Sequence, residues 1–310
     1  MSSVLSLAGL EKSFGNTKAV AGLSLDVAPG EIVGLIGPDG SGKTTTMRLV
    51  AGLLRPDQGS VQVLGHDVAT ETRTIHSLVG YMPQQYSLYG DLTVQENLRF
   101  FAGIYGVPDG EMLAREKRLL GIARLEEFRD RPAQALSGGM YKKLALSCAM
   151  VHEPHLLLLD EPTNGVDPIS RRELWELLKE RVRAGIGVLI STPYMDEAER
   201  CDRVVLLVEG RAVALDKPAA LKAAFAAKIL EITTQIPMSS LAPLAAAQGV
   251  DQAYTVGRKI HAVTRDATRA RAEIEKALAA EHVALVSLNE VPPSFEDIFL
   301  DLSTRRQERA

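Results

Sequence analysis

The sequence holds two cysteines, Cys148 and Cys201, in 310 residues. They lie far apart in helical patterns and read as reduced core thiols, which excludes a disulfide framework. No window reaches eighteen uninterrupted apolar residues, so no membrane-spanning helix is expected; if the chain works at a membrane, another protein supplies the spans. The opening MSSVLSLAGLEKSFG lacks a basic segment followed by an apolar core and predicts no signal peptide. Charge of one sign is also missing. Lys and Arg total 35 against 39 Asp and Glu, a net charge of −4 with the basic residues scattered, which argues against nucleic-acid binding. The length is enough for a sizeable core and suggests one large domain with a smaller one, or two domains.

What is present centres on Gly37 to Thr45, GPDGSGKTT. Glu31 to Ile36 before it is an almost continuous apolar run, the pattern of a parallel strand buried on both faces. Thr46 to Gly52 after it is a short helical pattern closed by glycine, with Pro56 beyond. Gly37, Gly40 and Gly42 let the backbone take turns closed to other residues, so that successive amides converge on phosphate oxygens. A helix starting near Lys43 adds unpaired amides and the positive end of its dipole. Lys43 is expected to reach the outer phosphates of a nucleotide, and the Thr44 hydroxyl suits Mg2+. The Asp39 carboxylate is unfavourable beside phosphate and is expected to point outward.

Along the rest of the chain, Val4 to Leu10, Leu23 to Val27 and Gly59 to Leu64 read as strands, with Phe14-Gly15 in a turn. Phe14 is equally compatible with stacking on a base and with the core. Gln84, after a short apolar run from Leu78, has a side-chain carbonyl able to bind a metal or water, and equally suits a polar loop. Thr93 to Glu96 is a capping box opening a helix through Tyr105, and helical patterns continue to about Arg131. Ser137 is a suitable N-cap; with Gly138 and Gly139 it leaves first-turn amides open to an anion. Leu156 to Leu159 is a short buried strand ending in Asp160-Glu161, where open α/β sheets bind ligands. Asp160 would hold magnesium and Glu161 would polarise an attacking water. Asn164 to Pro168 reads as a turn, and Ser170 to Glu173 as a second capping box. In the helix that follows, Leu174, Leu177, Leu178 and Val182 form the apolar stripe; Trp175 lies off it, as at a contact surface. Gly187 to Ser191 is a buried strand ending at Thr192-Pro193-Tyr194, and Val204 to Leu215 a hairpin.

Together these motifs resemble the nucleotide-binding subunit of an ABC transporter over residues 4 to 217. GPDGSGKTT matches the Walker A motif, Gln84 the Q-loop, LSGGM the signature normally ending in glutamine, Leu156 to Asp160 Walker B, and Glu161 the catalytic glutamate. Phe14 falls at the adenine-stacking position and Asp167 in the D-loop. The wording GPDGSGKTT, GVDPISRREL and STPYMDEAERC is similar to the first ATP-binding half of bacterial type-2 ABC exporters carrying two such halves. The resemblance implies an α/β P-loop NTPase of ABC type, with an antiparallel N-terminal β part and a helical insertion at about residues 92–135. It implies ATP and Mg2+ as ligands. Glu161, Gln84 and Lys43 would be catalytic; Thr44, Gln84 and Asp160 would hold the metal; and Gly37, Pro38, Asp39, Gly40, Ser41, Gly42, Lys43, Thr44 and Thr45 would cradle the nucleotide.

The family mechanism implied is a head-to-tail dimer of two nucleotide-binding domains that sandwiches ATP. Ser137, Gly138 and Gly139 of one chain would face the γ-phosphate bound by the other. The implied partners are that second domain and membrane-spanning permease subunits, met by the stretch Tyr86 to Asn97. The implied location is the cytoplasmic face of the inner membrane. One departure stands out: the family places a histidine where this chain has Pro193, which offers no donor. Glu161 is intact, so the expectation is slow hydrolysis in this chain's own site and pairing with a histidine-bearing second ATPase. The alternative is a non-transport ABC protein acting on ribosomes or as an ATP-dependent regulator.

Beyond a connector at 218–228, residues 229–304 show the order β-α-β-β-α-β of a small α+β, ferredoxin-like domain. It carries no apparent catalytic constellation and reads as a regulatory, dimerisation or docking module, with a small-molecule sensor as the alternative. Its closing PSFEDIFLDL resembles the tail of drug-exporter ATPases, and Arg305 to Ala310 reads as a charged, frayed end.

Overall fold

The computed structural model describes residues 3–85 and 87–307, with side chains up to Thr304. Tyr86 and the side chains of the expected tail from Arg305 onward fall outside that range. The chain divides into two compact units, Met1–Asp216 and Lys217–Ala310.

The first unit runs β1 (Leu5–Phe14), β2 (Thr17–Val27), β3 (Ile32–Ile36), α1 (Lys43–Val50), β4 (Gln58–Val63), β5 (His66–Asp67), α2 (Thr72–Leu78), β6 (Val79–Met82), α3 (Val94–Ile104), α4 (Asp109–Ala123), α5 (Gly138–Met150), β7 (Leu156–Asp160), α6 (Pro168–Arg183), β8 (Gly187–Thr192), β9 (Arg203–Val208) and β10 (Arg211–Asp216). Two sheets form. One is antiparallel, in the order β2-β1-β4-β5; the other, β10-β9-β3-β8-β7-β6, is parallel except for β10. Every residue of β3 and of β7 is buried, as expected of central parallel strands covered on both faces. Leu5, Leu7, Leu23 and Leu25 of the antiparallel sheet share one core with Val33, Leu35, Leu158 and Val205 of the parallel sheet and with Met47 and Val50 of α1. Each such side chain contributes about 1.5–3 kcal/mol through burial. This core holds α1 and the loop before it against the carboxyl ends of β3 and β7.

The helical part begins with a capping box: Thr93 Oγ1 accepts from the Glu96 amide at 3.2 Å, and the Glu96 carboxylate accepts from the Thr93 amide at 2.8 Å. The second expected box is corrected. The N-cap of α6 is Asp167, whose carboxylate accepts from the Ile169 and Ser170 amides at 3.1 and 3.0 Å, so Ser170 lies inside the helix. Pro168, lacking an amide hydrogen, suits the N1 position, and Asp167 is therefore the residue placed to cap. Trp175 is corrected as well. It is fully buried, and its Nε1 donates to Glu197 at 3.1 Å, so the ring is core and not a contact surface. Phe14, left open between core and stacking, lies at the end of β1 with about half its surface exposed.

The second unit runs α7 (Pro218–Ala224), β11 (Lys228–Thr234), α8 (Pro237–Ala245), β12 (Gln252–Val256), β13 (Lys259–Thr264), α9 (Ala267–Ala280), β14 (Leu285–Val291) and α10 (Phe295–Gln307). Its sheet is antiparallel in the order β12-β13-β11-β14, the arrangement of a split βαβ fold. Leu230, Ile232, Ile260 and Ala262 pack with Leu244, Ala270, Ile274 and Leu278 of α8 and α9, while Ile229 and Val263 form a second cluster with Tyr254 and Val291.

Candidate nucleotide site

The loop between β3 and α1 is built where a side chain will not fit. Gly42 has φ +102°, and a Cβ on it would lie 2.2 Å from the Ala19 carbonyl oxygen, so only glycine lets the chain turn into α1 there. α1 then starts at Lys43 with no side-chain cap, leaving its first amides free for an anion. Lys43 is buried; its Nζ donates to the carbonyls of Gly37 and Pro38 at 2.9 and 3.0 Å and lies 3.6 Å from Glu161 Oε1. The expectation that Asp39 points outward is corrected: its side chain is 92% exposed, but Oδ1 lies 3.9 Å from Lys43 Nζ, so the carboxylate sits at the rim of the site, held there by the lysine charge.

The parallel sheet brings the acids to this loop. Asp160 Oδ1, at the end of β7, accepts from Thr44 Oγ1 at 3.1 Å and from Ser191 Oγ, at the end of β8, at 2.6 Å. Asp160 Oδ2 and Ser41 Oγ are buried without a hydrogen-bond partner. Orphaned buried polar atoms are costly, and these two lie together at the phosphate loop, where a bound ion or phosphate would satisfy them. Among the described residues no cluster of three or more His, Cys, Asp or Glu side chains forms a metal cage. The donors present are one carboxylate and one hydroxyl beside open amides, a set that fits Mg2+ bound jointly with phosphate oxygens. A cleft of about 220 Å3 is lined by Ala19, Asp39, Gly40, Gly42, Lys43, Thr44, Thr45, Gln84 and Glu161.

Glu161 is the strained member of the site. It is buried, and its backbone takes φ +51°, a left-handed conformation that side-chained residues adopt only when their surroundings impose it. Ser191 imposes it, since both its side-chain oxygen and its carbonyl accept from the Glu161 amide, at 3.0 and 3.2 Å. On the carboxylate, Oε2 accepts from Gln84 Nε2 at 2.8 Å and from Asn164 Nδ2 at 3.1 Å. Lys142 Nζ donates to the main-chain carbonyl of Gln84 at 3.1 Å. Burial lowers the Lys142 pKa, against the opposing pull of Glu161 and Asp160. Tyr81, on β6, is pushed up to about 12 by burial and by the Asp160 charge.

Of the other expected residues, Gly138 lines a second cavity of about 880 Å3 together with Gln84, Lys142 and Asn164. Ser137 caps α5 by accepting from the Met140 amide at 3.3 Å. A Cβ on Gly139 would lie 2.3 Å from Ser170 Oγ, so the start of α5 packs closely on the start of α6 beside Asp167. Neither Ser137, Gly138, Gly139 and Asp167 nor Phe14 lines the cleft at Lys43.

The profile of the family described as ABC transporter matches residues 20–164. The Nod factor export ATP-binding protein I of Paraburkholderia xenovorans is 36% identical over 96% of this chain and 96% of its own length. The chain belongs to the ABC transporter ATP-binding family. A probable multidrug ABC transporter ATP-binding protein of Escherichia coli, YbhF, is 41% identical over 96% of this ABC chain, which spans about half (52%) of that relative's length. A solved ATP-binding subunit of an ABC transporter is 33% identical with a TM-score of 0.66, over 72% of this chain and 93% of that one. A dimeric ATP-binding cassette bound to ADP and Pi is 25% identical with a TM-score of 0.63, over 69% and 98%.

Three contributors to the ABC site were not singled out in the sequence: Ser191, Asn164 and Lys142. Ser191 had a visible signal, as the first polar residue after the apolar run Val188 to Ile190. Asn164 lies only three residues after Glu161, within the turn that the sequence shows, so its contact is local, whereas Lys142, on α5, reaches the Gln84 main chain 58 residues away only in the folded chain.

Proposed function

We propose that this chain is the ATP-binding and ATP-hydrolysing subunit that energises an ABC exporter. The observation that carries the reading is the convergence at the ends of β3 and β7: a buried Lys43 beneath open helix amides, Thr44 and Ser191 on Asp160, and Gln84 and Asn164 on Glu161. Bound Mg2+ would supply charge neutralisation for the phosphates, with Asp160 and Thr44 as its protein side and Gln84 close by. Lys43 and the loop amides would bind and orient ATP, and Glu161 would take the proton of the attacking water. The separation of Ser137 to Gly139 and Asp167 from the Lys43 cleft, and the dimer among the solved relatives, support a head-to-tail sandwich in which α5 of one chain closes the site of another. The relatives' names, a Nod factor export and a probable multidrug ABC transporter ATP-binding protein, support export; the proposal adds separate membrane-spanning subunits, with this chain held peripherally on the cytoplasmic face. Among the described residues no helix is long and apolar enough to cross a membrane.

The finer part of the proposal concerns Pro193. Because it has no donor for the γ-phosphate, this chain's own site binds MgATP and turns it over slowly, by on the order of a hundredfold or more, the effect of deleting one transition-state donor. Pairing with a second, histidine-bearing ATPase chain completes the engine, and the second unit serves as a dimerisation or docking module. ATP binding and steady-state turnover are measured on the chain alone and after adding a candidate second ATPase chain. Tight binding, little turnover alone and a clear rise on mixing are expected. Normal turnover alone, unchanged by Pro193→His, would sink the slow-site and pairing proposal.

A further inference from the structure

The turn between β7 and α6 and the loop after β8 meet beside Glu161 in a way the proposed chemistry does not use. Asn164 Nδ2 donates to Glu161 Oε2 at 3.1 Å, and Tyr194 Oη donates to Asn164 Oδ1 at 3.3 Å. An asparagine amide has a donor end and an acceptor end, and one flip would set its oxygen against the carboxylate. The Tyr194 hydroxyl, by donating to Oδ1, favours the orientation that turns Nδ2 toward Glu161. Tyr194 is itself held: the Arg171 guanidinium lies 4.3 Å from its ring centroid, and the Tyr194 amide donates to Thr192 Oγ1 at 3.0 Å. Arg171 is anchored on α6 by Asp196 and Glu197 at 3.4 and 3.6 Å. Asn164 is exposed, so its amide is not needed to fill a core.

We propose that Asn164, oriented by Tyr194, is a positioning residue for the Glu161 carboxylate. The proposal deepens the reading of Glu161 as the base. In a chain whose loop after β8 carries Pro193, that loop still reaches the base, through Tyr194 and Asn164 and not through a direct donor. Glu161 Oε2 is then shared by two amide donors, Gln84 from one side and Asn164 from the other, which leaves Oε1 facing Lys43. Losing the Asn164 donor frees the carboxylate to swing and slows the proton-abstracting step without touching the groups that bind phosphate.

The test is single-turnover hydrolysis of MgATP with purified chain in excess, together with ATP affinity, for the parent, Asn164→Ala, Tyr194→Phe, the double variant and Glu161→Gln. Asn164→Ala is expected to slow turnover about tenfold, the scale of losing one hydrogen bond to a buried charge. Its ATP affinity is expected to stay within about twofold of the parent, so the effect falls on kcat and not on binding. Tyr194→Phe keeps the ring over Arg171, costs less, and adds nothing in the Asn164→Ala background, because both act through one amide. Parental turnover by Asn164→Ala while Glu161→Gln is inactive overturns the positioning role and leaves the base intact. Parental turnover by Glu161→Gln overturns the base, and the positioning role with it. Fully additive effects of the two single changes overturn the Tyr194 link.

Discussion

Two buried aspartates, one in each unit, show opposite uses of the same side chain. Asp160 in the first unit and Asp297 in the second are both fully buried. Asp297 is saturated: Oδ1 accepts from Tyr254 Oη at 2.5 Å and from His261 Nδ1 at 2.7 Å, and Oδ2 from the Ser294 amide and hydroxyl at 2.6 and 2.7 Å. Burial would raise its pKa, but these four bonds outweigh it and hold the carboxyl below the usual range. Asp160 has two partners on Oδ1 and none on Oδ2. A buried carboxylate with every lone pair used is a strut, here fastening α10 to β12 and β13. One with an oxygen left over is kept for something that arrives later. For these two aspartates the difference lies in the satisfaction of their oxygens and not in burial or residue type.

The largest break in the comparison is expected from Asp160→Asn. MgATP turnover should fall by roughly a thousandfold, since the change removes the charge that faces the metal. Thermal stability of the nucleotide-free protein should move by less than about 1 kcal/mol, because the orphaned oxygen contributes no native bond. A large loss of stability would mean that Asp160 is a strut after all. Asp297→Ala is expected to do the reverse. Breaking a buried, hydrogen-bonded ion pair costs about 3 kcal/mol. Hydrogen exchange on the full chain should therefore speed up in β11, β13 and α10 while ATP affinity of the first unit holds.

The smallest effect is a pH dependence of opposite sign in the two units. His152, stacked on Tyr105 at 3.8 Å, has its pKa lowered to about 4 by burial. Its neutral form is the folded form, so its contribution is complete above the ordinary histidine pKa and is lost as pH falls from about 6.5 toward 4. His261 is raised by its hydrogen bond to Asp297, burial opposing and the charges of Asp297 and Glu231 assisting. Tyr254 also faces Asp297, and Lys259 holds Glu231 at 2.7 Å. The His261 contribution is complete below about 6.5 and is lost as pH rises through its raised folded value. Stability differences between the parent and His152→Gln should shrink toward low pH, and those between the parent and His261→Gln toward high pH. Parallel trends would remove the contrast between a desolvated and a paired histidine.

Much of the first unit was legible in the sequence because the information is local. GPDGSGKTT needs its glycines within a few residues of one another, Thr93 and Glu96 cap the helix they begin, and the runs Ile32 to Ile36 and Leu156 to Leu159 are too apolar to sit at a surface. The family resemblance follows from the same short strings. Local reading failed where two local signals competed or where a distant partner decided the outcome. Ser170 and Glu173 had the spacing of a capping box, but Asp167 ahead of Pro168 takes the cap. Trp175 lay off the helical stripe, but Glu197, 22 residues later, gives its Nε1 a buried acceptor.

What only the tertiary structure decided is which polar atoms end up paired. Thr44 and Asp160 are 116 residues apart, Gln84 and Glu161 are 77, and His261 and Asp297 are 36. A sequence sets which side chains have hydrogen-bonding capacity and which segments bury themselves, because propensity and apolar periodicity act over a turn or a strand. Whether a given carboxylate is saturated or left with a free oxygen depends on which loops the sheet order brings together. The sequence marks Asp160 by the apolar strand it ends, but that one of its oxygens is left unpaired while both oxygens of Asp297 are saturated follows only from the folded chain.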